Sequence, residues 1–233
     1  MKALNKGRTE RGWLMLRMAV LAGGSGDDLQ VVLNAQNSGT ISDARVMLVV
    51  SDSATAQAVA TAENAAVKTA VISREDFEDA DSWETALAKE LKKNSIDMLL
   101  LTDFEGVLSA KFIGQFANRI INVHPSLVPA FCGDSMVGMA VHKAVLARGV
   151  KVTGATVHYL TATAGEGEIV AQKAVEVLRG DSPETLAKRV KEKGVWQILP
   201  RAIQLVAEDA ALMAAVQGTT CMRRNPYATD AMF

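Results

Sequence analysis

The segment RIINVHPSLVPAFCG, residues 119–133, sets an amide and an imidazole two positions apart, Asn122 and His124, directly before Pro125. In an extended chain, side chains two residues apart leave the same side. A carboxamide donor and an imidazole converging on one point suit acyl transfer: the amide N–H stabilises the oxyanion formed when a carbonyl is attacked, and the imidazole manages the accompanying proton. A lone histidine at a strand end is more often a plain structural hydrogen-bonder. The same plain reading covers His142, in a helical stretch, and His158, in an alternating strand-like stretch, which share no metal-ligand spacing.

A second stretch with chemical content is AGGSGDDLQ, residues 22–30, where an apolar run gives way to a helical pattern. Glycines at such a turn let a phosphate approach a helix N-terminus, which makes Gly24, Ser25, Gly26, Asp27 and Asp28 candidate substrate-binding residues. The stretch is not a full G-x-G-x-x-G and no Walker lysine follows. Two carboxylates there oppose a phosphate, while they favour the helix dipole. An ordinary strand-to-helix turn and a ligand loop both remain open at this point.

Four consecutive apolar runs must position these groups: MAVLA (18–22), RVMLVV (45–50), DMLLL (97–101) and RIINV (119–123). Runs without period-two alternation suit strands buried on both faces, as in parallel sheets. Between them lie the helix-compatible stretches DDLQVVLNAQNSG, ATAQAVATAENAA and SWETALAKELKKN. Strand alternating with helix predicts a doubly wound, mostly parallel α/β sheet. His124 then falls at the carboxyl end of a strand, where such sheets bind ligands. Past the helical GMAVHKAVLARG, the stretches KVTGATVHYLT and EIVAQKAVEVL alternate like antiparallel strands. A helical region from Ser182 onward opens with a capping-box pattern at Ser182 and Thr185 and with Pro183 in first position.

The 233 residues carry a net charge of -1 with 49% hydrophobic content, which fits one large globular domain acting on small molecules and gives no electrostatic reason to expect nucleic acid or a membrane as partner. Cys132 and Cys221 lie far apart without metal-type spacing, so two plain thiols and no metal are expected. The basic MKALNKGRTERGWLMLR precedes an apolar run too short to span a bilayer, so the expected location is cytoplasmic. Residues 1–16 are read as an extension, 17–217 as the domain and 218–233 as a tail.

The motif at Asn122, His124, Pro125, Ser126, Leu127 and Pro129 resembles the N-x-H-P-S-L-x-P hallmark of the folate-dependent formyltransferases, most closely the phosphoribosylglycinamide formyltransferases of purine synthesis. The likeness extends through GVKVTGATVHYL, IVAQKAVEV and GDSPETLAKRV, over roughly residues 18–205. The resemblance implies a Rossmann-like formyltransferase fold. It further implies transfer of a formyl group from 10-formyltetrahydrofolate, as cosubstrate, to the amine of glycinamide ribonucleotide, by a monomer or homodimer. On matching positions, Asn122 donates to the formyl oxygen, His124 handles the proton, and Phe104, Gly106, Val107 and Leu108 belong to the loop lining the folate pocket. The chain departs from the family at four places: Gly165 stands where an Asp orients the histidine, Asp27 and Asp28 where a hydroxyl residue and Asn stand, Gly106 at a basic position, and Val195 at a Glu that contacts ribose. Glu166, beside Gly165, is the carboxylate expected to take the orienting role. If it does not, the alternatives are an inactive paralogue that binds folate or nucleotide, or a formyltransferase with another amine acceptor.

Overall fold

The computed structural model describes residues 15–217 apart from 105, 117, 134 and 164, and leaves aside the side chains of 214–217. Seven strands form one sheet in the order β3-β2-β1-β4-β5-β6-β7. The strands are β1 (Leu16–Ala22), β2 (Ala44–Ser51), β3 (Lys68–Val71), β4 (Met98–Thr102), β5 (Ile120–His124), β6 (Val152–Tyr159) and β7 (Ile169–Glu176). The first five are parallel; β6 runs antiparallel to β5, and β7 antiparallel to β6. The parallel sheet with an antiparallel C-terminal part is the architecture expected. Strand β3 was not among the anticipated elements: it is a four-residue edge strand with no buried residue, so it lacks the apolar run that marks the others.

Helices cover both faces. Within β1, Met18, Val20 and Ala22 join one core, and Ala19 and Leu21 join the other. Strand β4 divides likewise, Met98 and Leu100 against Leu99 and Leu101. This two-sided burial is why the runs carry no alternation. The first face is covered by α1 (Asp27–Asn37), α2 (Gln57–Asn64), α5 (Met139–Arg148), α6 (Pro183–Val190) and α7 (Trp196–Gln217). The opposite face carries α3 (Ala80–Lys93) and the short α4 (Ala110–Gln115). Helix α3 starts from a capping box of Asp79 and Ser82, and α6 from the anticipated one of Ser182 and Thr185. Helix α5 ends on Gly149 in the left-handed region, φ 72°.

Between α6 and α7 the chain makes one turn of π-helix, Lys191–Val195. Gly194 lies in this turn against Ala155 and Val175, where a Cβ would approach 3.1 and 3.3 Å. The turn therefore packs closely on β6 and β7 while continuing the helical rod. The expected domain began at residue 17; Leu16 is already paired with Ala44 in the sheet. The tail 218–233, with Cys221, and residues 1–14 of the N-terminal extension lie outside the described residues. No described helix is long and apolar enough to cross a membrane.

Candidate active site

Strand β5 is the hinge of the sheet, with a parallel neighbour on one side and an antiparallel one on the other. Asn122 stands opposite Leu101 of β4 and His158 of β6. Its Nδ2 lies 3.4 Å from Nε2 of His158, whose Nδ1 is 2.8 Å from the carbonyl of Tyr159. A carbonyl only accepts, so Nδ1 of His158 carries the proton and Nε2 receives the amide of Asn122. Burial lowers the His158 pKa; the Tyr159 carbonyl opposes the shift and the nearby His124 adds to it. His158 thus orients Asn122 and leaves the second amide hydrogen available.

His124 closes the strand. Its Nε2 lies 2.8 Å from the carbonyl of Phe131, which assigns the proton to Nε2 and leaves Nδ1 as an acceptor. Burial lowers its pKa, with the Phe131 carbonyl acting in opposition, so the ring is neutral at pH 7. The Phe131 carbonyl is held by a compact loop. Thr156 donates to the carbonyl of Ser126 and accepts from the amide of Val128, and Gln172 donates to Val128 and to Thr156. Ser126 donates to the carbonyl of Ala130 at 2.6 Å. The hallmark Ser126, with Thr156 and Gln172, therefore fixes the loop that orients the imidazole.

Asn122 and His124 open into a cavity of about 670 Å³, lined also by the turn at Gly23–Ser25, by Asp103 and Phe104, and by residues of α5, α6 and the π-turn. Lys191 lies at the first-turn end, and nothing in the sequence singled it out. Its ammonium is 2.8 Å from Asp103, 3.2 Å from Ser25 Oγ, 3.6 Å from Asp27 and 3.9 Å from Asp28. Burial alone would lower its pKa; Asp28, Asp103 and Asp27 outweigh that and raise it. Asp28 responds the other way. It is buried, accepts from Thr102 (2.5 Å) and Trp196 Nε1 (2.8 Å), and burial raises its pKa despite Lys191. The difference is physical, because one lysine is shared among three carboxylates.

The expected opposition between Asp27, Asp28 and a phosphate therefore takes a more specific form. Asp28 points its oxygens at Thr102 and Trp196, Asp27 is mostly exposed and accepts from Ser25 at 2.6 Å, and Lys191 supplies a cation between them. Gly24 and Ser25 line the cavity. Gly26, with φ 76°, packs on Ala58 and does not line it.

Of the loop residues expected at a folate pocket, Phe104 lines the cavity. Leu108 is buried in the core on the α3 side, and Val107 is 65% exposed. Gly106 lies under Arg74, where an added Cβ would come within 2.5 Å of Nη2. The Arg74 guanidinium stands 4.2 Å from the Trp83 ring centroid and donates to the carbonyl of Val107 at 3.0 Å. A cation is thus present where Gly106 lacks one, contributed from 32 residues upstream in sequence.

Glu166 is exposed, and it does not line the cavity. Among the described residues no carboxylate shifts His124; burial lowers its pKa and the Phe131 carbonyl opposes the shift. At Gly165, φ is 77° and a Cβ would fall 1.9 Å from Cys132 Sγ, so the loop as folded has no room for a side chain there. Among the described residues, no group of three or more His, Cys, Asp or Glu is arranged to hold a metal ion.

A doubly wound sheet with an amide and an imidazole at the carboxyl end of β5 defines a class, and comparison with known proteins agrees with it. The family model described as "Formyl transferase" matches residues 16–203. Phosphoribosylglycinamide formyltransferase of Mycobacterium tuberculosis is 37% identical over 211 residues, covering 90% of this chain and 89% of that protein. The trifunctional purine biosynthetic protein adenosine-3 of Gallus gallus is 36% identical over 208 residues, 89% of this chain, and this chain spans 20% of that protein's length. The crystal structure of glycinamide ribonucleotide transformylase 1 from Symbiobacterium toebii superimposes with a TM-score of 0.77 at 37% identity, covering 84% of this chain and 89% of that one. The chain belongs to the formyl transferase family, in its phosphoribosylglycinamide formyltransferase group.

Proposed function

We propose that the protein transfers the formyl group of 10-formyltetrahydrofolate to the amine of glycinamide ribonucleotide. The observation that carries this reading is the placement of Asn122 and His124 over the same cavity as Ser25 and Lys191. In the reaction, the acceptor nitrogen attacks the formyl carbon and the carbonyl electron pair moves onto oxygen. The free amide hydrogen of Asn122 stabilises that oxyanion. As the intermediate collapses, the bond to N10 breaks. One proton leaves the acceptor nitrogen and one arrives at N10, so the reaction has no net proton demand. His124, neutral with Nδ1 as acceptor, suits this exchange.

The acceptor's phosphate fits the opposite end, where Ser25, Lys191 and the N-terminus of α1 converge. On this reading residues 17–217 are the catalytic domain, acting on small molecules in the cytoplasm as a monomer or homodimer. A second reading, ligand binding without turnover, is favoured by one observation: among the described residues no carboxylate acts on His124. The deciding experiment is formyl transfer from 10-formyltetrahydrofolate to glycinamide ribonucleotide, with His124→Ala as the blank. Turnover well above the blank is expected. Folded protein no faster than the blank would leave binding as the function.

A further inference from the structure

The mechanism above leaves one buried nitrogen without a task. His142 of α5 is 5% exposed and lines the same cavity as Asn122 and His124. Its Nδ1 is buried and has no hydrogen-bond partner among the described residues. A buried polar atom left unpaired costs stability and returns none, and such atoms are rare in folded proteins. The other two imidazoles are engaged: His158 spends both nitrogens, and His124 has Nε2 tied to Phe131. Formyl transfer between two amines moves protons at two different nitrogens of the tetrahedral intermediate, and a single available nitrogen on His124 must serve both in turn.

We propose that His142 is a second proton-carrying side chain of this site. It accepts the proton of the acceptor amine as the new C–N bond forms and passes it, directly or through water, to Nδ1 of His124. His124 then delivers that proton to the departing nitrogen as the old bond breaks, which leaves both rings neutral as they began. The proposal rests on the formyl-transfer reading of the cavity.

The charges around His142 are consistent with this division. His124 of β5, Lys188 of α6, Lys191 of the π-turn, Asp28 and Asp103 line the same cavity. Lys143 lies beside it on α5 and acts on Glu184 of the packed α6. Burial is the larger influence on His142, and the charge of His124 adds to it. Two rings that repel each other's charge hold one proton between them more readily than two, the condition an acid–base pair needs.

The test uses His142→Asn in the full chain, which keeps a polar group of similar size and removes the titration. In formyl transfer from 10-formyltetrahydrofolate to glycinamide ribonucleotide between pH 5.5 and 9, kcat is expected to fall about 10²–10⁴-fold with KM and Tm unchanged. The acid limb of the kcat profile is expected to disappear while the alkaline limb stays. A kcat within about two-fold of wild type, or a reduced kcat with both limbs intact, overturns the proposal. Silence of the wild-type protein would count against formyl transfer itself. His142 is then judged by NMR titration: removing it should raise the midpoint of His124, and an unmoved midpoint overturns the coupling.

Discussion

Restoring the family's aspartate by Gly165→Asp is the obvious repair, and on sequence alone it should speed turnover. The structure predicts the opposite for the single variant. At φ 77° a side chain sits in the left-handed region, costing about 1–2 kcal/mol. Its Cβ would lie 1.9 Å from Cys132 Sγ, and forcing atoms into an occupied position costs about 1–3 kcal/mol more. The sum is roughly 2–5 kcal/mol, a large part of the ~5–15 kcal/mol that folded domains possess. For a chain of this size each kcal/mol moves Tm by about 2–4 °C, so Gly165→Asp should lower Tm by on the order of 10 °C without raising kcat. In a Cys132→Ala background the sulfur is gone and the next contact, Cys132 Cβ, is at 3.4 Å, so the same change should cost only about 1–2 kcal/mol. A carboxylate there lies beside the residue following Phe131, whose carbonyl holds His124, so the double variant is where kcat should rise. Thermal unfolding and formyl-transfer kinetics of the four proteins decide the matter. A single variant melting within about 2 °C of wild type would show that the loop moves aside freely, and the steric account would be wrong.

Three other outcomes follow from the site's electrostatics. Burial lowers the pKa of His124, His142 and His158 below the ordinary 6.5, so the unfolded chain takes up protons first. Their contribution to stability is whole above pH 6.5 and is lost as pH falls through the folded values; a urea midpoint no lower at pH 5 than at pH 7.5 would contradict this. Lys191→Met removes the cation beside buried Asp28, raising that carboxyl further. The loss, about 1–3 kcal/mol, should be full at pH 8 and fade toward pH 4 as Asp28 takes up its proton, and a loss independent of pH would point to packing instead. Asp103→Asn releases Lys191 from its shortest ion pair and should lower KM for a phosphorylated acceptor about 2–5-fold, whereas an unchanged KM would mean that the phosphate does not reach Lys191.

The sequence disclosed those elements whose burial is two-sided. β1, β2, β4 and β5 were legible because a strand covered on both faces must be apolar throughout, and α6 because Ser182 and Thr185 cap it through local chemistry. β3 was not, since its four residues, KTAV, carry too short an apolar run to stand out as a strand. Asn122 and His124 stood out through a local motif. Lys191 and Arg74 did not, because each meets its partners across the fold: Lys191 touches Ser25 from 166 residues away. In its own neighbourhood, KRVKEK, Lys191 looks like the solvated side of an amphipathic helix.

The π-turn at Lys191–Val195 bears on how this chain tolerates change in length. A helix advances about 100° per residue, so a single residue added or removed between two packed helices ordinarily rotates one of them off its core. One wider turn absorbs such a residue, leaving α6 and α7 each in phase with the sheet while the residues between them are displaced. The displaced residue at its start is Lys191, whose ammonium reaches Ser25 and Asp103 at the mouth of the first turn. The position of the cation is therefore tied to the number of residues in the rod as well as to its own identity. Swapping this segment for one shorter by a residue would redirect the lysine even if every side chain were kept.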